Sequence, residues 1–405
     1  MSEWKEYKIE DFCEVIGGGT PSTKEDSYYG GEISWITPRD LTNHKNRFIS
    51  RGERNITELG LKNSSARILP KNSILLTSRA PIGYLAIAEN EVCTNQGFKS
   101  LIVNPEKADY NFIYYLIKSN IERIKTLGTG TTFAEISGSV VKKLKFSIPE
   151  LPTQTAIAEI LSSLDDKIEL NNKINQELET LAQTLFKQWF IDFDFPNENG
   201  EPYKSSGGEM VDSELGEIPK GWKVERLVNF IKFIKGKKPP EVFDREIENT
   251  LPQILIETLD SGKSMYARPE KMVICEKDDI IIVMDGASSG RIEIGFNGIL
   301  GSTLAIIKSN GINNNLLYQF LKYKEQDIRN NTTGAAIPHT DKSKIFEYLI
   351  SLPIENIVSD FSSIQENILK MIFTNKSELK YLINLRDTLL PKLISGELEI
   401  NEINN

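Results

Sequence analysis

The stretch Trp4-Lys5-Glu6-Tyr7-Lys8-Ile9-Glu10-Asp11-Phe12-Cys13-Glu14-Val15-Ile16-Gly17-Gly18-Gly19-Thr20-Pro21 has a counterpart 218 positions later, Trp222-Lys223-Val224-Glu225-Arg226-Leu227-Val228-Asn229-Phe230-Ile231-Lys232-Phe233-Ile234-Lys235-Gly236-Lys237-Lys238-Pro239. The tryptophan-lysine pair, the apolar positions Ile9/Leu227, Phe12/Phe230 and Ile16/Ile234, the glycine Gly18/Gly236 and the closing proline share one ungapped register. A second block also returns: Thr129-Gly130 leads to Ser147-Ile148-Pro149, and Thr333-Gly334 to Ser351-Leu352-Pro353, at an offset of 204. The offset shortens by 14 (from 218 to 204), so the second unit carries that many fewer residues between its anchors. Two registers repeated in the same order imply a duplicated domain.

Each unit reads as an α+β domain. A short apolar run, Ser73-Ile74-Leu75-Leu76-Thr77 or Asp279-Ile280-Ile281-Ile282-Val283-Met284, breaks into a loop, Ser78-Arg79-Ala80-Pro81-Ile82-Gly83 or Asp285-Gly286-Ala287-Ser288-Ser289-Gly290. Amphipathic helices are expected over Asn111–Lys125 and Leu316–Ile328. The polar, Gly/Ser-rich Asn197–Asp212 reads as a linker.

A seven-residue helical period follows each domain. In the first helix the a positions are Ile157, Leu164, Asn171, Leu178 and Leu185, with d positions Ile160, Lys167, Ile174, Leu181 and Gln188. In the second the a set is Phe361, Ile368, Asn375, Leu382 and Leu389, and the d set includes Ile364, Met371 and Leu385. Asn171 and Asn375 hold the same central a position. A polar a residue fixes register at some cost in stability, so the helices are expected to pair antiparallel with these two asparagines meeting. The boundaries are 1–150, 151–195 (long helix), 196–215 (linker), 216–353 and 354–405 (long helix).

Catalytic chemistry is scarce. Two histidines, His44 and His339, leave little material for a metal cluster or a His-based triad. Three scattered cysteines, Cys13, Cys93 and Cys275, suit neither a disulfide framework nor a zinc site. Ser261-Gly262-Lys263-Ser264 lacks the upstream glycine of a phosphate loop, since Glu257 stands there, and reads as a turn. No run of eighteen apolar residues suggests a membrane span, and the polar N-terminus is unlike a signal peptide, so the expected location is cytoplasmic. The net charge of −9 opposes DNA binding by bulk charge, but Lys220–Pro240 holds seven basic residues and one acid.

Several stretches resemble the specificity subunits of type I restriction-modification systems. In the first unit these are Gly18-Gly19-Thr20-Pro21-Ser22-Thr23, Ser34-Trp35-Ile36-Thr37-Pro38-Arg39-Asp40-Leu41, Thr77-Ser78-Arg79-Ala80-Pro81-Ile82-Gly83 and Thr94-Asn95-Gln96-Gly97-Phe98. Ile157–Asn172 is similar to the family's central region and Leu389–Leu398 to its C-terminal one. The second unit departs from the pattern at Lys237-Lys238-Pro239 and Gly301-Ser302-Thr303. The resemblance implies two target-recognition domains separated by an antiparallel coiled coil, each reading one half-site of double-stranded DNA. It also implies two modification subunits that carry S-adenosylmethionine and methylate adenine N6, joined by restriction subunits, with no cofactor on this chain.

Under that resemblance Arg79 and Arg39 are candidates for guanine, and Asn95 and Gln96 for adenine, with Thr20 and Ser22 beside them. In the second unit the candidates are Arg291, Ser302, Thr303 and His339, with Lys237 and Lys238 on phosphate. Each has a plainer reading: Arg39 paired with Asp40, Asn95-Gln96 satisfying buried backbone, His339 shaping a turn. The rival function is a non-catalytic adaptor whose two domains bind proteins, with the coiled coil as spacer.

Overall fold

The structure is a computed structural model that describes residues 4–129, 134–334 and 336–400, so Gly130 of the repeated block lies outside it. The chain divides into two compact units, residues 1–171 with 381–405, and residues 172–380.

In the first unit a five-stranded sheet runs in the order Cys13–Gly17, Lys99–Val103, Ile74–Leu76, Leu85–Ala88, Phe48–Ile49. Ile74, Leu75 and Leu76 are all buried because this central strand is covered on both faces, which explains its unbroken apolar run. A smaller sheet joins Asn55–Ile56, Tyr29–Ile36 and Cys93–Thr94. The helix Tyr110–Ser119, capped by Asp109, packs Phe112, Tyr115 and Leu116 into the core.

The second unit repeats this plan as Ile231–Lys235, Leu304–Ser309, Ile280–Val283, Ile292–Glu293, with a second sheet around Leu251–Ile254 and Gly298–Leu300. The two repeated blocks turn out to be the two strands of one ribbon that closes each unit. Lys5 pairs with Ile148 in the first, and Lys223 with Leu352 in the second. Twelve of the missing residues fall between Ile36 and Ile74, 38 positions apart, against 26 between Ile254 and Ile280. The edge strand Phe48–Ile49 occupies this segment in the first unit and has no counterpart in the four-stranded sheet.

The long helices are Leu151–Phe190 and Glu355–Ser395. Their expected a stripe is right and the second stripe is off by one. Leu161, Ile168, Asn175, Ala182 and Trp189 face inward, four residues after each a position, whereas Lys167, Leu181 and Gln188 are exposed. Likewise Gln365, Ile372, Leu379 and Leu393 are buried while Ile364 and Met371 are exposed. Within the second unit the helices run antiparallel, Asn175 beside Asn375, Ala182 beside Ile368, Trp189 beside Phe361. Asn375 Nδ2 donates to Asn175 Oδ1 (3.0 Å), so the partner of Asn375 shown within this unit is Asn175. In an antiparallel pair each stripe meets the other helix's opposite stripe, so asparagines at the same heptad letter do not face each other.

The expected linker is also more ordered than its composition suggests. Phe195 stacks between Tyr203 and Trp222 (ring centroids 4.7 and 5.2 Å), and Met210–Ser213 pairs with Gly216–Pro219. Aromatics flanking the Gly/Ser run, rather than the run itself, decide the outcome. Gly262 caps the helix Ile256–Ser261 in the left-handed conformation, the turn expected there.

Each unit's α+β domain is keyed to its long helices by a different polar network. In the first unit the buried Arg47 bonds Asp166, lies 3.4 Å from Glu169, and donates to the Tyr115 hydroxyl (3.3 Å). Tyr115 donates to Asp165 (2.8 Å), which also takes Arg386 (2.7 Å) and faces Lys118 (3.7 Å). Burial alone would raise the Asp165 carboxyl; Lys118, Arg386 and Tyr115 outweigh it and hold it below the usual carboxylate range. In the second unit Gln319, the repeat equivalent of Tyr115, bonds Gln365 (2.9 Å) and Gln183, an all-amide key.

Candidate nucleic-acid interface

Glycine decides where the loops meet. A Cβ on Gly18 would lie 1.9 Å from the Asn95 carbonyl, and one on Gly236 2.2 Å from the Gly301 carbonyl. The repeated glycine thus lets the loop before the repeated proline lie flush on a second loop, Thr94–Gly97 or Leu300–Thr303. A third loop arrives from the central strand. A Cβ on Gly97 would meet Asn95 Oδ1 (3.0 Å), Pro38 (3.2 Å) and Arg79 (3.7 Å), so the loops bearing Pro38, Arg79 and Asn95 meet at this glycine.

In the first unit Thr20 bonds Gln96 directly. The Asn95 side chain accepts from Gly97 N (2.9 Å) and so shapes its own loop, the plainer of its two readings. Arg39 is 82% exposed and lies 3.5 Å from Glu53, not from Asp40, whose carboxylate caps Thr37. Ser22 is exposed and accepts from Lys24 N. Arg79 lies 3.6 Å from Glu135, with Lys99 3.5 Å from the same carboxylate.

The second unit presents a matching frame with different side chains. Ser302 and Lys238 take the places of Gln96 and Thr20, and both are exposed, as is Lys237. Thr303 is half-buried, and its carbonyl accepts from Met284 N (2.8 Å). His339 Nδ1 lies 2.8 Å from Asp285, which Lys235 also approaches (3.3 Å). Burial pushes the Asp285 carboxyl up, but His339 and Lys235 bring it below the ordinary range. The expected reader Arg291 points elsewhere: it bonds Glu293 (2.7 Å), Asp260 and the Leu259 carbonyl, bracing the β-hairpin. Replacing Arg291 with leucine is expected to destabilise this unit by about 1–3 kcal/mol. DNA affinity of the folded protein should change little, which thermal unfolding and a titration below the transition would separate.

Sequence reasoning passed over Glu135, Asp285, Lys99 and Lys235. The signal lies in the repeat, where Glu135 aligns with His339 and Asp285 with Arg79, so acid and base exchange places between the units. The basic stretch 220–240 is not one face: Lys220 is held by Glu209 (2.9 Å) and Lys235 by Asp285. All three cysteines are buried and free, and burial pushes the Cys13 and Cys275 thiols up to about 12. Among the described residues no His, Cys, Asp and Glu group is arranged to hold a metal, and no helix is long and apolar enough to cross a membrane.

A family model described as the type I restriction modification DNA specificity domain matches residues 1–180 and again 219–384. The chain belongs to the type I restriction-modification specificity subunits. It is 38% identical to the type I restriction enzyme MjaIX specificity subunit of Methanocaldococcus jannaschii over 99% of this chain and 95% of that one. The HindI specificity subunit of Haemophilus influenzae is 24% identical over 98% of this chain and 100% of its own. A crystal structure of the type I S subunit from M. genitalium shares the fold at a TM-score of 0.61 and 20% identity, covering 97% of this chain and 96% of that one. The two family matches coincide with the two halves of the repeat, so the duplicated frame is the specificity subunit's pair of domains.

Proposed function

We propose that this specificity subunit reads a two-part DNA target, one half-site per unit, without catalysing a reaction itself. The observation that carries the reading is the pair of matching loop frames with different side chains: Thr20, Gln96 and Arg79 on one, Lys238, Ser302 and His339 on the other. A common scaffold with changed chemistry is what two readers of unlike half-sites require. Arg79, Arg39 and Gln96 are assigned to base edges in the first half-site, with Thr20, Ser22 and Asn95 supporting them. In the second, Ser302, Thr303 and His339 face bases and Lys237 and Lys238 take phosphate. Arg291 supports its hairpin.

The long helices, a coiled coil whose register is set by Asn175 and Asn375, act as the fixed spacer between half-sites. Adenine-N6 methyl transfer belongs to two partner modification subunits that hold S-adenosylmethionine, and cleavage to restriction subunits, in the cytoplasm. A protein-binding adaptor is the competing class.

The test is long-read detection of N6-methyladenine in cells carrying this chain and its modification subunit. The expected result is a split motif of two defined half-sites around a constant gap, lost when this chain is deleted. No such motif from a folded, associated complex would overturn the reading and favour the adaptor.

A further inference from the structure

One isolated bridge recurs in both units with its acidic and basic residues exchanged. In the first, Arg79 bridges Glu135, and Glu135 bridges Thr129. In the second, Asp285 bridges His339, and His339 bridges Thr333. The basic side chain stands on the loop after the central strand in the first unit and on the segment before the helix Lys342–Glu347 in the second. The carboxylate stands opposite it each time.

A second cation has moved as well. Gly17 pairs with Lys99 in one sheet and Lys235 with Ala305 in the other, at equivalent rungs, so the lysine has crossed from one strand to its neighbour. In both units it still reaches the carboxylate, Lys99 to Glu135 (3.5 Å) and Lys235 to Asp285 (3.3 Å). Acid and base have exchanged places between the aligned pairs Arg79/Asp285 and Glu135/His339, and the lysine has changed strand, yet one arrangement is retained: a carboxylate between two basic side chains.

The arrangement is not a core brace. The side chains of Arg79, Glu135, His339 and Lys235 are 35%, 39%, 51% and 53% exposed, with Asp285 at 27% and Lys99 at 16%. Exposed pairs of this kind contribute little to stability, so stability does not account for keeping three exchanged charges in one geometry. The backbone beneath is held independently, by Ile136 N to Ser78 O (3.0 Å) and Thr340 N to Met284 O (2.8 Å).

We propose that Glu135 and Asp285 are positioning residues for base reading: each carboxylate holds the neighbouring basic side chain, Arg79 or His339, in the orientation that meets its half-site and keeps it off non-target phosphate. This inference rests on the function proposed above. A carboxylate beside a reading cation sets two things at once. It fixes the direction of the donor, and it repels DNA backbone that approaches without the base contact that compensates for it. Because the basic side chain sits on different segments in the two units, the same device aims from two directions and so serves two unlike half-sites.

The test uses the full chain with its modification subunits, comparing wild type, Glu135→Gln, Glu135→Asp and Asp285→Asn by long-read methylation and by binding to non-target DNA. Glu135→Gln is expected to relax the first half-site at one or two positions, with discrimination falling on the order of tenfold. The gap and the second half-site stay unchanged, and non-target binding tightens severalfold. Glu135→Asp is expected to restore the motif in large part, and Asp285→Asn to relax only the second half-site. Unchanged motifs in both neutral variants, with wild-type methylation intact, would overturn the positioning role. Loss of both half-sites together, or of folded protein, would reduce these residues to structure. A wild-type complex with no split motif would instead remove the functional reading, and this inference with it.

Discussion

Replacing Asp165 with alanine is expected to destabilise the first unit by about 3–5 kcal/mol, the range for breaking a buried ion pair from one side. Asp165 is 3% exposed and takes the Tyr115 hydroxyl, Arg386 and Lys118 together. Without it two cations and a phenol face one another in a site that water reaches poorly. Differential scanning calorimetry should show the transition of the first unit moving down while that of the second stays in place. A shift below about 1 kcal/mol would mean the network is solvated and the junction rests on apolar packing alone.

The same carboxylate gives the junction a pH dependence with a definite sign. Its folded-state pKa is depressed, so its contribution is present above the ordinary carboxylate range and is withdrawn as the pH falls through that range and below. The Gln183–Gln319–Gln365 key of the second unit has nothing to titrate. Acid should therefore loosen the first junction before the second, and Asp165→Asn should flatten the difference.

The second large effect concerns the spacer. Inserting one heptad into each long helix at the level of Asn175 and Asn375 should leave both half-sites unchanged and lengthen the gap between them. Seven residues add about 10 Å, close to three base pairs along the duplex, and fewer where DNA resists the change of phase. The inner stripes alternate three- and four-residue steps, 157, 161, 164, 168, 171, 175 on the first helix. Only an insertion of whole heptads returns them to the same face. Methylation sequencing reads the outcome. A constant gap with altered half-sites would mean that the helices do not set the distance.

Much of this was legible in the sequence, for identifiable reasons. The duplication was visible because Lys5/Lys223 and Ser147/Ser351 belong to the two strands of one ribbon, and a change of register in a ribbon that closes a domain would turn its buried side chains outward. The first helix stripe was visible because Ile157, Leu164, Leu178 and Leu185 are apolar. The second was misplaced because its members include Asn175 and Ala182, while Ile160, Ile174 and Leu181 stand one residue earlier and mimic it. Hydrophobicity alone could not separate them, since the deciding contacts are polar. Arg291 was mistaken for a reader because an arginine after a glycine loop looks the same whether it faces solvent or, as here, Asp260 and Glu293. The contacts of the first helix with Arg47 were not legible either, because Arg47 lies on a segment the second unit lacks: buried itself, it reaches the exposed Asp166 and the half-buried Glu169.

The division of the chain also bears on the order in which the protein is made. The second unit is contiguous, residues 172–380, whereas the first needs residues 381–400 as well. Leu390, Leu393 and Ile394 lie in the same core as Phe112, Ile157 and Leu161, and Arg386 supplies the counter-charge of Asp165. On the ribosome the domain translated first therefore waits for a segment translated last, its apolar face uncovered while some 200 residues of the other unit emerge and fold. A nascent chain cut short after residue 380 would carry a complete second unit and an unfinished first one, with an exposed patch of the kind that chaperones bind and that favours aggregation. Synthesis itself thus offers a check that only full-length chains present two closed units.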